Sequence, residues 1–595
     1  MFSLQVSIME TNIRGLVKQY TNGLQWESAL FWADVMMSLS SENVADVLAY
    51  IRCLIELGQH LRALSFLQHR GLLKAHKVFQ YFGAQCMFAN RQYEDVVQLM
   101  EGAGVNDISG MFSTSCRVAA SSLSPEDKAV LMQYSSECKV ETGMLVLLGK
   151  AYEKLENRQQ AANAYKQCLL RDSSCVEAFE RLVRRHMLTE AEERDLLNRL
   201  FDMDLVSNRS NAGLCKLSEF LYRSKAAKTS FSEPLIDTCM DDGGGNNELK
   251  KKLASNLSVM AGSAERLYYQ SNFRDSYNLT LKILTHEEYH SDALPVHVAN
   301  LVALSKTTEL FSLAHKLIDS FPDLLISWYA VACYYYSIGN FEAAKRFFHK
   351  CTLLDPQHGS SWIGYGHSFA VEQEHDQAMN CYVKAAKVMS SCHLPLMYVG
   401  LEYSLTNNLR LAEKFFSQAQ AMSPDDPYGL HELGVLFFRL ENYAKAEDYF
   451  RRAEKVVGVG TMWEQLLNNL GHVMRKLRRY NEALDYHRRA LRLAPRNAST
   501  LAAIGYLHMF LEEFDVAVDY FHQSLSLKRD DAFVTALLTK AMDILNDTWK
   551  TPFPEPPTLS PPKVRVPGSS SKKPQMQKMI SQGDDALSDV EMEDA

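Results

Sequence analysis

The sequence lacks most of what an enzyme, a membrane protein or a secreted domain requires. No Gly-x-x-x-x-Gly-Lys-Ser/Thr loop is present to cradle a phosphate. Gly102-Ala103-Gly104 and Gly364-Tyr365-Gly366 carry none of the rest of a dinucleotide fingerprint. No serine or cysteine sits in a recognisable nucleophile elbow. The 12 cysteines include no Cys-x-x-Cys pair and no metal-like spacing. Cys333, Cys351 and Cys381 fall inside apolar helical patterns and read as buried thiols kept reduced in an intracellular compartment. Long apolar runs are missing too: the longest, Leu324 to Ile338, is too short to cross a bilayer. Met1 to Tyr20 holds an acidic residue and no long apolar run, so no secretory signal is expected. A net charge of −8 argues against a nucleic-acid binder, which needs a concentrated basic face. The expectation is a non-enzymatic chain with no cofactor, no metal, no nucleic acid and no membrane as partner.

What is present is a period. At about 150 residues per domain, 595 residues would suggest several globular domains. A repeat array overrides that count, because it grows without one central core. Trp328 and Trp362 stand 34 residues apart, and the same step leads to Leu396 and Leu430. Leu467 and Leu501 anchor two further units, with the extra residues of one step in Gly458-Val459-Gly460. Four residues after each anchor comes a small residue: Ala332, Gly366, Gly400, Gly434, Gly471 and Gly505. Twelve further on is always alanine: Ala344, Ala378, Ala412, Ala446, Ala483 and Ala517. Four after that is a bulky residue: Phe348, Tyr382, Phe416, Phe450, His487 and Phe521.

These columns have physical reasons. Small residues on two antiparallel helices let the backbones approach. The bulky column is expected to fill the gap to the next repeat. Pro356, Pro424 and Pro495 stop second helices, since proline lacks an N–H. A period of 34 with small, small and aromatic columns is the tetratricopeptide (TPR) signature. The fold class is therefore all-α, a tandem TPR superhelix, or α-solenoid. Fainter copies lie upstream, as in Gly149 with Tyr152, Ala161, Tyr165 and Cys168, and in Ala84 with Tyr93 and Val96. Ala264 to Leu284 and Val296 to Pro322 read as degenerate units. About a dozen repeats are expected.

The organisation expected is an N-terminal array over 1–228 with a loop insertion near 103–125, a flexible linker over 229–250, a C-terminal superhelix over 251–546 and a disordered tail over 547–595. The linker contains Asp241-Asp242-Gly243-Gly244-Gly245-Asn246-Asn247; the tail is first Pro/Ser-rich and then acidic. Thr551 and Ser560 precede prolines, and Ser588 precedes acidic residues, so all three are candidate phosphorylation sites.

Two motifs imitate chemistry. His286-Glu287-Glu288-Tyr289-His290 matches His-Glu-x-x-His, in which two histidines one helical turn apart bind zinc. Here it follows the apolar run Leu279 to Leu284, near the end of a second helix, and reads as a solvated helix end. The basic run Arg475-Lys476-Leu477-Arg478-Arg479 with Arg488-Arg489 reads as a solvated face or a patch for an acidic partner.

Stacked helix pairs curve so that first helices line a concave groove. Positions one, five and eight after each anchor are expected to face it. They include Tyr329, Cys333, Tyr336, Ile363, His367, Met397, Leu401, His431, Val435, Phe438, Asn468, His472, Arg475, Ala502 and Tyr506. Aromatics, histidines and amides suit an extended or helical peptide. An alternative is a co-chaperone adaptor that clamps a C-terminal carboxylate, for which Asn468 and Arg475 supply a partial set.

Specific words add a resemblance. Ser361-Trp362-Ile363-Gly364-Tyr365-Gly366-His367-Ser368-Phe369-Ala370-Val371-Glu372, Cys392-His393-Leu394-Pro395, Gly400-Leu401-Glu402-Tyr403 and Leu466-Leu467-Asn468-Asn469-Leu470-Gly471-His472-Val473 are similar to the subunit 6 family of the anaphase-promoting complex, or cyclosome. The match is close from about 250 to 535 and looser from 13 to 200, where Ser28-Ala29-Leu30-Phe31-Trp32-Ala33-Asp34 agrees best. The resemblance implies a scaffold in a mitotic ubiquitin ligase. It implies a homodimer through the N-terminal repeats, a C-terminal superhelix that encloses the N-terminal segment of a small, mostly unstructured subunit, and stacking on related TPR subunits. It also implies residence in nucleus and cytoplasm, with spindle or centrosome in mitosis.

Overall fold

The computed structural model describes residues 2–39, 43–102, 125–207, 212–226, 253, 255–457 and 464–549. The linker expected at 229–250, and Thr551, Ser560 and Ser588, lie outside the described residues. So do residues 103–124 of the expected insertion, whose last residue, Pro125, opens the helix Pro125–Glu137. The described residues form 29 α-helices, one short 3-10 turn and no strand. The chain divides into two compact units, Met1–Ala227 and Lys228–Ala595.

In the second unit the helices come in eight hairpins. The first helices are Leu257–Tyr269, Ala293–Ala303, Leu325–Ile338, Gly359–Ala370, Leu394–Leu405, Pro427–Arg439, Glu464–Lys476 and Ala498–Phe510. Each is followed by a second helix: Phe273–His286, Thr307–Ser320, Phe341–Leu354, His375–Val388, Leu409–Met422, Tyr443–Val457, Tyr480–Leu493 and Phe514–Leu527. The helix Ala532–Trp549 closes the unit and runs three residues past the expected end at 546.

The sequence writes the ends of these helices. Second helices ending at Leu354, Met422 and Leu493 stop two residues before Pro356, Pro424 and Pro495. Asparagine opens others: Asn340 Oδ1 accepts from the Ala343 N–H at 3.2 Å, and Asn272 repeats the cap on Asp275. The turn inside each hairpin has one left-handed residue. It is Gly339 (φ 86°) in one case but Gln373, Asn407, Glu441, Arg478 and Glu512 (φ 60° to 64°) in the next five. The N–H directly after the left-handed residue reaches back five residues in each, as from Asn340 to the Tyr335 carbonyl and from Asn442 to Phe437, which satisfies carbonyls the helix end would leave open.

The columns then meet. All six alanines from Ala344 to Ala517 are fully buried. The bulky column does more than fill the gap to the next repeat. Its ring rests on the small residue of its own unit: a Cβ at Gly366 would lie 2.4 Å from Tyr382, and one at Gly434 would lie 2.6 Å from Phe450. Phe348 also presses on Gly364 of the following unit, so that ring joins two repeats. The anchors Trp328 and Trp362 donate their indole N–H to the carbonyls of Pro322 and Pro356, at 2.7 and 2.9 Å. Each tryptophan thereby ties its helix to the preceding turn. Replacing Trp362 with phenylalanine keeps the ring packing and removes this bond. We expect native-state hydrogen exchange in Gly359–Ala370 to report a loss of about 1 kcal/mol.

The first unit applies the same rule less regularly. A Cβ at Gly149 would lie 2.4 Å from Tyr165, joining the helices Val140–Lys154 and Arg158–Arg171. Buried Glu153 organises the polar contacts there. It accepts from the Tyr165 hydroxyl at 2.7 Å and from Arg181 at 3.0 Å.

Candidate functional site

First helices of five successive hairpins in the second unit face a common cavity of about 340 Å³. Its lining includes Tyr329, Tyr336 and His367, all from the expected groove set, together with Cys333 and Ile363. The structure adds Tyr268, Tyr269 and Glu265 from Leu257–Tyr269, and Tyr398 from Leu394–Leu405. Glu265 and Tyr268 stand one and four residues after the small residue Ala264, the same offsets that place His367 and Ala370 after Gly366. The degenerate unit thus keeps the register although its anchor is not tryptophan or leucine.

The cavity is aromatic with few open polar groups. His367 meets the Tyr398 ring edge-on, with centroids 4.5 Å apart, and its Nδ1 lies 2.7 Å from the Tyr382 hydroxyl. Burial lowers the His367 pKa to about 4, so the ring is neutral near pH 7. Burial also raises the phenols of Tyr269 and Tyr329 well above the ordinary range and the Cys333 thiol to about 12. Phenols and thiols so held are poor nucleophiles at neutral pH. They can still stack and donate hydrogen bonds, as peptide anchors do.

Of the remaining groove candidates, Met397 lies on the fifth cavity helix, Leu394–Leu405, and His431, Phe438, Asn468, His472 and Tyr506 lie in the hairpins that follow. Met397, His431, Phe438, His472 and Tyr506 are buried and Asn468 is half-buried. Polar atoms of His431 and Asn468 bond to neighbouring side chains. Asn469 Nδ2 lies 2.8 Å from His431 Nε2, and Asn468 Oδ1 lies 2.6 Å from His487 Nδ1. Because an amide oxygen only accepts, His487 carries its proton on Nδ1. His472 meets His487 edge-on at 4.8 Å. Burial first, and then the nearby His472 and Arg475, holds the His487 pKa well below its usual value. The Arg475 guanidinium lies over the Tyr506 ring at 5.1 Å. Asn468 and Arg475, the partial carboxylate clamp, are both engaged within this seam.

The remaining motifs resolve locally. The helix Phe273–His286 ends at the first histidine of the zinc-like motif, and Glu287 is already extended. Glu288 pairs with Lys316, and His290 Nδ1 accepts from the Asp292 and Ala293 N–H groups at 3.3 Å. The two histidines do not share one helix face. In the basic run, Arg479 pairs with Glu447 at 3.0 Å and Arg489 with Glu454 at 2.9 Å, each acid coming from the preceding hairpin. Among the described residues no helix is long and apolar enough to cross a membrane.

Comparison with known proteins agrees with this architecture. TPR family models match residues 142–175, 325–358, 403–455, 465–494 and 498–531. The model for anaphase-promoting complex, cyclosome, subunit 3 matches residues 22–103. The cell division cycle protein 16 homolog of Mus musculus is 41% identical over 89% of this chain and 84% of its own length. Anaphase-promoting complex subunit 6 of Arabidopsis thaliana is 32% identical over 89% of this chain and 96% of its own. The crystal structure of the APC/C hetero-tetramer Cut9-Hcn1 has a chain 26% identical to this one, with a TM-score of 0.70, covering 91% of this chain and 99% of that one. With whole-length relatives of one kind and the TPR columns closing as described, the chain belongs to the subunit 6 family of the anaphase-promoting complex, the TPR subunits of the cell-cycle ubiquitin ligase also called cell division cycle protein 16 homologues.

Proposed function

We propose that this chain is a non-catalytic scaffold whose second unit encloses the N-terminal segment of a small, mostly unstructured subunit, and whose first unit pairs with a second copy of itself. One observation carries the reading: an aromatic cavity built from five successive first helices, in which His367, Tyr269 and Tyr329 are held neutral. Such a lining gains from burying apolar and amide surface and offers no activated base or nucleophile. The solved relative with the same fold is a hetero-tetramer of Cut9 with Hcn1, which supports a subunit partner for this site. Stacking on related TPR subunits of the complex belongs to the same proposal, as does residence in nucleus and cytoplasm with spindle or centrosome in mitosis. Nucleic acid and membrane have no part in it.

The test is calorimetric titration of the full chain with the N-terminal segment of the small subunit. We expect tight binding, weakened at least about tenfold by Tyr336→Ala and by Tyr268→Ala, since each removes an aromatic anchor. Unchanged affinity in both variants would remove the cavity from the interface. Recovery of the remaining ligase subunits with the tagged chain from mitotic cells tests the scaffold role, and recovery of chaperones alone would favour the co-chaperone adaptor.

A further inference from the structure

We propose that the acidic segment 584–594 of this chain docks on a basic face across the last three hairpins of the second unit. The face is built by repeat register. Positions 21 and 25 after the anchor carry Arg451 and Lys455 in one hairpin and Arg488 and Arg492 in the next, all exposed. Ion pairs from Arg451 to Glu482, at 3.8 Å, and from Arg489 to Glu454, at 2.9 Å, hold the second helices Tyr443–Val457 and Tyr480–Leu493 side by side. The face continues past the helix ends with exposed Arg496, Lys528 and Arg529. The Ser524 hydroxyl donates to the Ala498 carbonyl at 2.9 Å, which sets the end of Phe514–Leu527 against the turn that carries Arg496.

The cations here outnumber the acids that neutralise them. Glu447 serves Arg451 and Arg479, Glu454 serves Arg489, and Asp531 accepts from the Phe533 and Val534 N–H groups. Lys455, Arg488, Arg492, Arg496, Lys528 and Arg529 form no ion pair among the described residues. Asp485 and Asp530 are the only exposed acids within four residues of them in the sequence. A helix dipole rewards cations in the last turn, which accounts for Lys455 and Arg492. Arg488 lies earlier and the other three lie beyond the helix, so the surplus calls for an anionic partner.

Charge and chain length select the occupant. Every Lys and Arg after Trp549 precedes residue 579, and the stretch that follows holds Asp584, Asp585, Asp589, Glu591, Glu593 and Asp594. Leu587, Val590 and Met592 alternate with these acids, and exposed Leu493 and Leu527 offer them apolar contact beside the cations. Asp584 follows Trp549 by 35 residues, a reach of up to about 115 Å. A few helix-packing distances of about 10 Å each separate the closing helix from the face. The tether gives the segment an effective concentration on the order of 1 mM, which favours it over an acidic segment arriving from solution. A phosphate on Ser588 would add nearly two further negative charges and tighten the docking.

Fluorescence anisotropy with a labelled synthetic peptide of residues 582–595 tests the docking on the full chain. In the wild-type chain the face is already occupied, so the added peptide binds weakly. Neutralising the segment by Asp584→Asn, Asp585→Asn, Asp589→Asn, Glu591→Gln, Glu593→Gln and Asp594→Asn frees the face, and peptide affinity should rise at least about fivefold. Adding Arg488→Glu, Arg492→Glu and Arg496→Glu to that variant should weaken the peptide again at least about tenfold, as should raising NaCl from about 50 to about 500 mM. These arginines are exposed, so the reversal leaves the packed core intact, and an unchanged circular dichroism spectrum checks this. The peptide phosphorylated on Ser588 should bind more tightly than the plain one. Equal peptide affinity in the wild-type and neutralised chains, affinity that survives the charge reversal, or a phosphorylated peptide that binds no better than the plain one would overturn the proposal.

Discussion

Substituting Gly434 with alanine is expected to destabilise its hairpin by about 2–3 kcal/mol, a large effect for one methyl group. The added Cβ would lie 2.6 Å from the Phe450 ring, and that ring is fully buried with nowhere to retreat. The reciprocal change, Phe450→Ala, should cost about 3–5 kcal/mol by removing the ring and leaving a cavity. The informative result is the pair. With the ring gone the methyl group has room, so the double variant should be more stable than the sum of the single costs by at least about 1 kcal/mol. Native-state hydrogen exchange over Pro427–Val457 reads this within the intact chain. Strict additivity would show that the small and bulky columns do not bear on one another.

The second large effect is acid destabilisation of the second unit between pH 6.5 and 4. Burial lowers the pKa of His297 and of His367 to about 4 and that of His487 well below its usual 6.5. The sign follows from proton uptake. Below pH 6.5 the unfolded chain binds protons at these rings and the folded chain does not, so stability is full above that pH and falls as the pH drops towards 4. Each fully buried ring contributes up to about 1.4 kcal/mol per pH unit, and His367, being half-buried, contributes less. The loss should be several kcal/mol across the window. Carboxylates held low, such as Glu309 beside Tyr277 and Lys306, add their loss only below the ordinary carboxylate range. Replacing His297 with glutamine should flatten the slope by about one histidine's share, measured by hydrogen exchange in the helix Ala293–Ala303. An unchanged slope would mean that this ring does not resist protonation.

The repeat was legible because its constraints are steric and recur at a fixed spacing. Ala378 and Gly366 each answer to one neighbour, and the same neighbour returns in the next unit. The turn geometry was not legible. Gly339 advertises a left-handed residue, but Gln373, Glu441 and Arg478 adopt the same conformation with side chains that give no such signal. Of the groove, Tyr329, Tyr336 and His367 follow from the register and line the cavity. Tyr268 and Tyr269 follow only after Ala264 is accepted as a column residue, which a degenerate unit gives little reason to do. Met397, Phe438 and Tyr506 share the groove offsets and yet are buried. An offset fixes a direction from the helix axis, and packing of neighbouring hairpins decides whether water reaches that direction.

The closing helix has a consequence for how the protein is made. Val534, Leu537 and Ala541 of Ala532–Trp549 cover Tyr506, Met509 and Phe521 of the last hairpin. That face belongs to residues synthesised earlier than their cover. While the ribosome still holds the closing helix, the last hairpin presents an uncovered aromatic surface of the kind that chaperones recognise. A nascent chain that stalls before residue 532 would keep that surface open, and the cell could read its exposure as the mark of an unfinished product.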